Sequence, residues 1–108
     1  MKKFDENYVL LEEMARDKYF PGFLVEKVEN LMRPVITMLE NGETDDEVIQ
    51  ERLDDMTMAI NDLQEEFEEN GSEIETVARD SIAATVGYIL DYFDVDIDVE
   101  TALRERDW

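Results

Sequence analysis

The longest hydrophobic pattern in the chain follows Gly71 and has the period of an α-helix. Apolar and small residues recur three and four positions apart from Ile74 to Phe93, and at 100° per residue they cover roughly half of the helix circumference. A helix with so wide an apolar arc must be enclosed on most sides, so we predict that it forms the centre of the fold. Asn70-Gly71 is expected to end the preceding helix, and Ser72 with Glu75 to open the central helix as a capping box.

Three amphipathic segments before this helix and one short segment after it complete the predicted fold. We expect a short helix from Asp5, a second helix from Pro21 to about Glu40, a third from about Asp45 to Glu69, and a last helical turn from Asp98 to Leu103. Short connections force neighbouring helices to be antiparallel. The prediction is therefore an all-α fold, a four-helix up-and-down bundle with a short C-terminal helical turn, forming one domain over residues 1–108.

Several single residues make more local predictions. Thr44 and Glu47 match a capping box at the start of the third helix. Pro34 lies inside the second helix, where its ring removes one hydrogen bond and crowds the preceding turn, so a kink is expected there unless Asn30 marks a true break. Trp108 is expected to fold back onto the bundle.

The charge of the chain restricts its partners. The 108 residues include 30 Asp and Glu against 10 Lys and Arg, a formal charge of -20, while 44% of the residues are hydrophobic. The apolar content is enough for a core, and the negative charge repels nucleic acids and anionic membranes, which are bound through cationic side chains. We therefore expect no nucleic acid and no membrane partner, and we favour a basic protein partner.

The missing residue types restrict the chemistry. The chain has no cysteine and no histidine, so disulfides, thiolate nucleophiles, thiolate metal sites and imidazole bases are all excluded. We expect no cofactor, apart from a candidate divalent cation considered below. The basic start leads into no apolar segment, and no apolar run approaches the about eighteen residues of a membrane span, so the expected location is cytoplasmic.

One pattern of carboxylates suggests catalysis. Glu26 and Glu29 on the second helix, with Glu51 and Asp54 on the third, resemble the paired acidic motifs of all-α nucleotide pyrophosphohydrolases. In that family four carboxylates on antiparallel helices hold Mg²⁺ against a triphosphate. The helical phase opposes this interpretation here, because Glu26 and Glu51 fall opposite the apolar stripes of their helices.

A second pattern suggests a metal site. Asp94, Asp96 and Asp98 alternate with apolar residues after the central helix, in the spacing of the first ligands of a calcium loop. The sixth position of such a loop needs glycine for a sharp turn, and here it is Val99. The three aspartates remain a candidate divalent-cation site, and the competing interpretation is a turn followed by an N-cap at Asp98.

The connection between the third and fourth helices carries a distinctive block. Residues 67–80 read Phe-Glu-Glu-Asn-Gly-Ser-Glu-Ile-Glu-Thr-Val-Ala-Arg-Asp, residues 19–21 read Tyr-Phe-Pro, and the chain ends in Arg-Asp-Trp. Together these segments resemble a family of small bacterial proteins of unknown function, over nearly the whole chain. The resemblance implies a bacterial, all-helical domain and brings no catalytic residues with it.

The candidate binding residues centre on this block and are Phe67, Glu68, Glu69, Glu75 and Arg79. The competing interpretation is that they only define the corner between the two helices. Arg79 is expected to form an ion pair with Glu75 or with the glutamates before Gly71, and an anionic ligand on its guanidinium is the alternative.

Three functions follow from these patterns. The leading hypothesis is a non-enzymatic acidic binding protein, an inhibitor or immunity-type partner of a basic protein such as a toxin or nuclease. The second is a Mg²⁺-dependent nucleotide pyrophosphohydrolase. The third is a structural homo-oligomer, with a homodimer as its simplest form, whose subunits bury spare apolar surface at Tyr8, Tyr19, Phe20, Phe23 and Trp108.

Overall fold

A computed structural model describes residues 2–108, and Met1 of the predicted domain lies outside them. The chain forms five α-helices: α1 (Glu12–Arg16), α2 (Gly22–Glu40), α3 (Asp46–Glu69), α4 (Thr76–Tyr92) and α5 (Val99–Ala102). The described residues contain no strand. The predicted all-α fold, a four-helix bundle with a short C-terminal helix, is confirmed, although α1 has only five residues.

The burial predicted for the apolar arc of α4 is confirmed. Its apolar arc is buried, with Ala78 and Ile82 fully enclosed and Val86 and Ile89 each 2% exposed. Val86 and Ile89 meet Val35 of α2 and Leu53 of α3 in the interior. Each large apolar side chain enclosed in this way stabilises the fold by about 1.5–3 kcal/mol.

Three helices end in the same hydrogen-bonded motif. After α3, Gly71 has φ of 72°, its N–H donates to the Glu68 carbonyl at 3.1 Å, and the Ser72 N–H donates to the Phe67 carbonyl at 2.9 Å. These two bonds define a Schellman motif. The same pair of bonds closes α2 around Gly42 and α4 around Asp94. The predicted helix end at Asn70-Gly71 is therefore confirmed.

The predicted start of α4 is wrong. The helix begins at Thr76 with Glu75 in extended conformation as its N-cap, and the Glu75 side chain makes no capping hydrogen bond. Ser72 is 2% exposed and its hydroxyl has no partner among the described residues. The Ser72 backbone already belongs to the Schellman motif that ends α3, and residues 73–75 are not helical.

Two other helix starts differ from their predictions. Asp45, not Thr44, caps α3 and accepts the Glu47 N–H at 2.9 Å. The first helix begins at Glu12 instead of near Asp5. Asp5 accepts the Asn7 N–H at 2.9 Å in a local turn, which does not continue as a helix.

Helix α1 is capped by α4. Leu11, its N-cap residue, has φ of 53° and is fully buried. Its N–H donates to the Thr85 hydroxyl at 3.0 Å, and the Met14 N–H donates to the Ser81 hydroxyl at 3.4 Å. Two hydroxyls of the central helix thus satisfy amides that have no acceptor within so short a helix.

Helix α2 continues through Pro34, and Asn30 does not mark a break. Because proline has no N–H, the Asn30 carbonyl lacks the donor that residue i+4 normally supplies. The C-terminal end of α2 is connected by a short turn to α3, and the two helices pack against each other.

A polar stripe of α3 holds the C-terminal segment. Gln50 donates to the Thr101 carbonyl at 3.0 Å, and Asn61 donates to the Glu105 carbonyl at 2.8 Å. Trp108 packs against the hydrophobic core as predicted. Across the part of the chain that the structure describes, the helices are all too short or too polar to cross a bilayer.

Candidate functional site

The end of α3 concentrates negative charge in an unfavourable place. Glu65, Glu68 and Glu69 are exposed in its last turns, and the last turn carries no basic residue. A helix C-terminus has a partial negative charge, so carboxylates there are repelled by the helix dipole as well as by each other. We call Glu65, Glu68, Glu69, Glu73 and Glu75 the acidic corner.

One glutamate at this end of α3 is neutralised. Glu66 is half-buried, and its carboxylate accepts from the Lys27 ammonium at 2.7 Å. Lys27 comes from α2, so this pair joins the two long helices. Because Glu66 points toward α2 and is paired, the unpaired negative charge of the corner is carried by the neighbouring exposed glutamates.

Phe67 lies beneath the acidic corner and not on its surface. Its ring is fully buried in the core, and its carbonyl accepts from both Asn70 and Ser72. A buried ring cannot contact a partner while the corner stays folded, so any contribution of Phe67 to binding acts through the shape of the corner.

Arg79 does not form the ion pair predicted for it. Its guanidinium donates to the Thr76 hydroxyl at 3.1 Å, and no carboxylate of residues 2–108 lies within 4.0 Å. The Arg79 side chain is exposed on the first turns of α4, one turn after the half-buried Glu75. The corner therefore keeps its negative charge without internal neutralisation by Arg79.

The aspartates proposed as a cation site do not form a ligand set. Asp94, Asp96 and Asp98 are all exposed, and nowhere in residues 2–108 do three acidic side chains gather closely enough to hold a metal ion. Asp98 instead caps α5 by accepting the Thr101 N–H at 2.7 Å, which lowers the pKa of its carboxyl. The competing interpretation, a turn followed by an N-cap, describes this segment.

The four carboxylates of the pyrophosphohydrolase hypothesis are also separated. Glu26 and Glu51 are exposed, as their helical phase indicates. Asp54 accepts two hydrogen bonds from Arg104, at 3.1 Å and 2.6 Å, and this guanidinium holds the pKa of Asp54 below its usual value. Glu29 is half-buried next to Arg33, and burial raises the pKa of its carboxyl. A magnesium ion would need these carboxylates to converge, and within residues 2–108 no three acidic side chains do so.

Much of the surface proposed for a homo-oligomer is already covered. Phe20 is 4% exposed, the Tyr8 ring stacks on Tyr88 at 3.9 Å between centroids, and Trp108 packs on the core. Of the five residues proposed, only Tyr19 at 44% and Phe23 at 49% remain exposed. The homodimer stays a prediction, with less apolar surface to support it.

An aromatic cluster that the sequence patterns did not indicate holds the N-terminal segment against α4. Phe4 contacts Tyr8, Tyr88, Tyr92 and Phe93 at 5.3–5.9 Å between ring centroids. The Tyr88 hydroxyl donates to the Asp5 carboxylate at 2.7 Å, which raises the pKa of Tyr88 to about 12 and lowers the pKa of Asp5. The four-residue spacing of Tyr88 and Tyr92 was the available signal.

Two of the hollows beside α2 contain charged residues from separate parts of the chain. The first, of about 430 Å³, lies between α2 and the N-terminal segment and includes Asp5, Glu29 and Glu40 in its lining. The second, of about 500 Å³, opens on the side of α2 that faces α3. It is lined by Asn30, Arg33, Pro34, Thr37, Met38, Asn41 and Arg52, and we call it the arginine hollow. The sequence patterns did not indicate it, because its two arginines come from different helices.

Comparison with known proteins places the chain in a family. A family model described as a family of unknown function (DUF5713) matches residues 4–108. The chain belongs to this family. The match covers all five helices, so the DUF5713 domain includes the acidic corner, the arginine hollow and the C-terminal segment on α3. No curated protein and no solved structure matches the chain.

Proposed function

We propose that this DUF5713 protein is a non-enzymatic binding protein of the bacterial cytoplasm, of the inhibitor or immunity type, whose acidic corner occupies a basic surface of a partner protein. The observation that supports this most is the set of exposed glutamates at the end of α3, where no basic residue accompanies them in the last turn. Their negative charges interact unfavourably with the partial negative charge at the C-terminus of the helix. A basic partner would relieve this repulsion on binding.

The charge of the whole chain supports the same proposal. With 30 acidic and 10 basic residues, the protein attracts a basic partner over distance and accelerates their encounter. Such attraction is screened by salt, with a Debye length of about 8 Å at physiological ionic strength. Binding at the acidic corner is therefore expected to weaken as salt rises.

The neighbouring groups support a rigid surface at the corner. The Schellman bonds of Gly71 and Ser72 fix the chain direction after α3, and the buried ring of Phe67 anchors the last turn in the core. A preorganised surface loses less conformational entropy on binding than a mobile one.

The proposal is tested with paired charge variants on the same helix. The corner variant carries Glu68→Gln and Glu69→Gln, and the control variant carries Asp46→Asn and Glu47→Gln in the first turn of α3. Both variants remove two negative charges from exposed positions. Each is titrated, beside the unsubstituted protein, with a short oligoarginine peptide, and each is used to capture proteins from a bacterial lysate at low and high salt.

We expect the peptide to shift the backbone amide resonances of residues 65–75 in the unsubstituted protein and in the control variant, with at least threefold weaker binding to the corner variant. A captured basic protein should be released by high salt and retained poorly by the corner variant. Equal binding by both variants, or binding that salt does not weaken, would contradict the proposal.

A further inference from the structure

The lining of the arginine hollow contains no acidic residue, whereas the hollow of about 430 Å³ beside α2 includes Asp5, Glu29 and Glu40 in its lining. The charge of the arginine hollow is therefore opposite to that of the chain as a whole, which has three acidic residues for every basic one. Arg33 comes from α2 and Arg52 from α3. Two arginines from different helices thus line the same hollow.

Both arginines keep donors available for a ligand. Arg52 is exposed, and its side chain makes no hydrogen bond or ion pair within residues 2–108. The ion pairs in this part of the chain are formed by other basic residues, namely Arg16, Lys27, Arg33, Arg104 and Arg106. Arg33 is 60% exposed and approaches Glu29 only to 3.9 Å. A guanidinium presents five N–H donors, and such a contact leaves most of them free.

The backbone acceptors nearest to the hollow are largely occupied. At the end of α2 the carbonyls of Thr37, Met38 and Leu39 accept the N–H groups of Asn41, Glu43 and Gly42. These bonds reduce the negative potential that a helix C-terminus otherwise presents to an anion. The Asn30 carbonyl is different, because Pro34 gives it no helical donor.

We propose that the arginine hollow binds a phosphate group. Two guanidiniums match the charge and the fork-like geometry of a phosphate dianion. The side chains of Thr37 and Asn41 add neutral donors to the lining, and the carbonyl of Asn30 is an acceptor for the remaining proton of a monohydrogen phosphate. This phosphate site lies on α2 and α3 and is separate from the acidic corner.

The net negative charge of the chain determines the ionic strength at which phosphate binding should be measured. The overall charge of -20 repels any anion, but that long-range repulsion is screened beyond about 8–10 Å at 0.1–0.15 M ionic strength, whereas a direct contact with a guanidinium is screened much less. Phosphate binding is therefore measured at constant ionic strength near the physiological value.

The test is an NMR titration with inorganic phosphate at constant ionic strength. We expect saturable shifts of the backbone amides of Asn30, Thr37, Asn41 and Arg52. Arg52→Gln should weaken binding about tenfold, since it removes one charge-assisted contact. Glu29→Gln should tighten binding about threefold, since it frees Arg33 and removes a nearby negative charge.

The controls separate a built site from general attraction. Arg16→Gln removes an exposed arginine that pairs with Glu12 on α1, so it should leave phosphate binding unchanged. Glycerol phosphate binding more tightly than inorganic phosphate would assign the site to a phosphorylated small molecule, and the reverse order would assign it to free phosphate. Thermal unfolding of each variant verifies that it is folded.

Three results would overturn the proposal. The first is the absence of saturable shifts around the arginine hollow, and the second is an equal loss of binding in Arg16→Gln and Arg52→Gln. The third is acetate binding as tightly as phosphate, because a single negative charge does not need two guanidiniums. None of these results depends on whether the acidic corner binds a basic protein.

Discussion

At the scale of single residues, Asp94 occupies a position that suits glycine better. It ends α4 with φ of 57°, a left-handed conformation that is costly for a residue with a side chain. Gly42 and Gly71 have the equivalent place in the other two Schellman motifs. Aspartate tolerates this conformation better than most residues do, and so the motif forms without glycine.

We predict that Asp94→Gly stabilises the protein by about 0.5–1 kcal/mol, because the relief of the left-handed conformation outweighs the entropy that glycine adds to the unfolded chain. Asp96→Gly is the matched control, since Asp96 is also exposed and does not have a positive φ. Urea unfolding should show Asp94→Gly to be more stable than the unsubstituted protein and Asp96→Gly to be less stable. A loss of stability in Asp94→Gly would contradict the role assigned to this residue.

The hydrogen bond between Tyr88 and Asp5 gives a prediction on pH. The pKa of Tyr88 is raised from 10.0 to about 12 in the folded protein, so the bond contributes stability that is fully present from neutral pH to pH 10 and is lost as pH rises through about 12. The same bond lowers the pKa of Asp5, so its contribution is also lost in acid as Asp5 is protonated. Among the four tyrosines, one should ionise last, near pH 12. The absorbance of tyrosinate during alkaline titration measures this.

The matched variants for this titration are Tyr88→Phe and Tyr19→Phe. The first should remove the component that ionises near pH 12, and the second should leave it in place because Tyr19 is exposed and distant from Asp5 in the sequence. Persistence of the late component in Tyr88→Phe would mean that another tyrosine carries it.

At the scale of elements, the five residues of α1 depend on α4. An isolated helix of this length is not stable in water, and the hydroxyls of Thr85 and Ser81 accept its first free amides. Thr85→Val keeps the shape of the side chain and leaves the buried Leu11 N–H without an acceptor. We expect a loss of about 1–3 kcal/mol of stability.

Thr57→Val is the control for this prediction. Thr57 is also a fully buried threonine, but its hydroxyl donates to the Leu53 carbonyl within its own helix at 2.8 Å. Its removal leaves no buried amide unsatisfied, so it should cost far less. Hydrogen exchange of the Leu11 amide should accelerate in Thr85→Val alone; equal effects of the two variants would exclude the capping role.

Helix ends with glycine were predictable from sequence and helix starts were less so. Asn41-Gly42 and Asn70-Gly71 mark ends because left-handed φ is a local property of the chain. Ser72 failed as an N-cap because its backbone was already used by the preceding helix. The short extent of α1 also depends on contacts with α4, more than 60 positions away in the sequence, and no local pattern contains that information.

At the scale of the whole molecule, the sequence predicted that the apolar arc of α4 is enclosed, and the structure buries it. The placement of individual charges was not predictable. Asp54 was a candidate Mg²⁺ ligand and instead pairs with Arg104, and Arg79 lacks the carboxylate partner expected for it. Ion pairs between distant segments depend on packing, which composition and helical phase do not determine.

The central physical claim is that the glutamates at the end of α3 destabilise the free protein and are available for a basic partner. The most direct test compares the free energy of unfolding of the Glu68→Gln, Glu69→Gln variant with that of the Asp46→Asn, Glu47→Gln variant at low ionic strength. Both lose two charges, at opposite ends of one helix dipole. We predict that the first variant is about 1 kcal/mol more stable than the second; equal stability, or the opposite order, would contradict the claim.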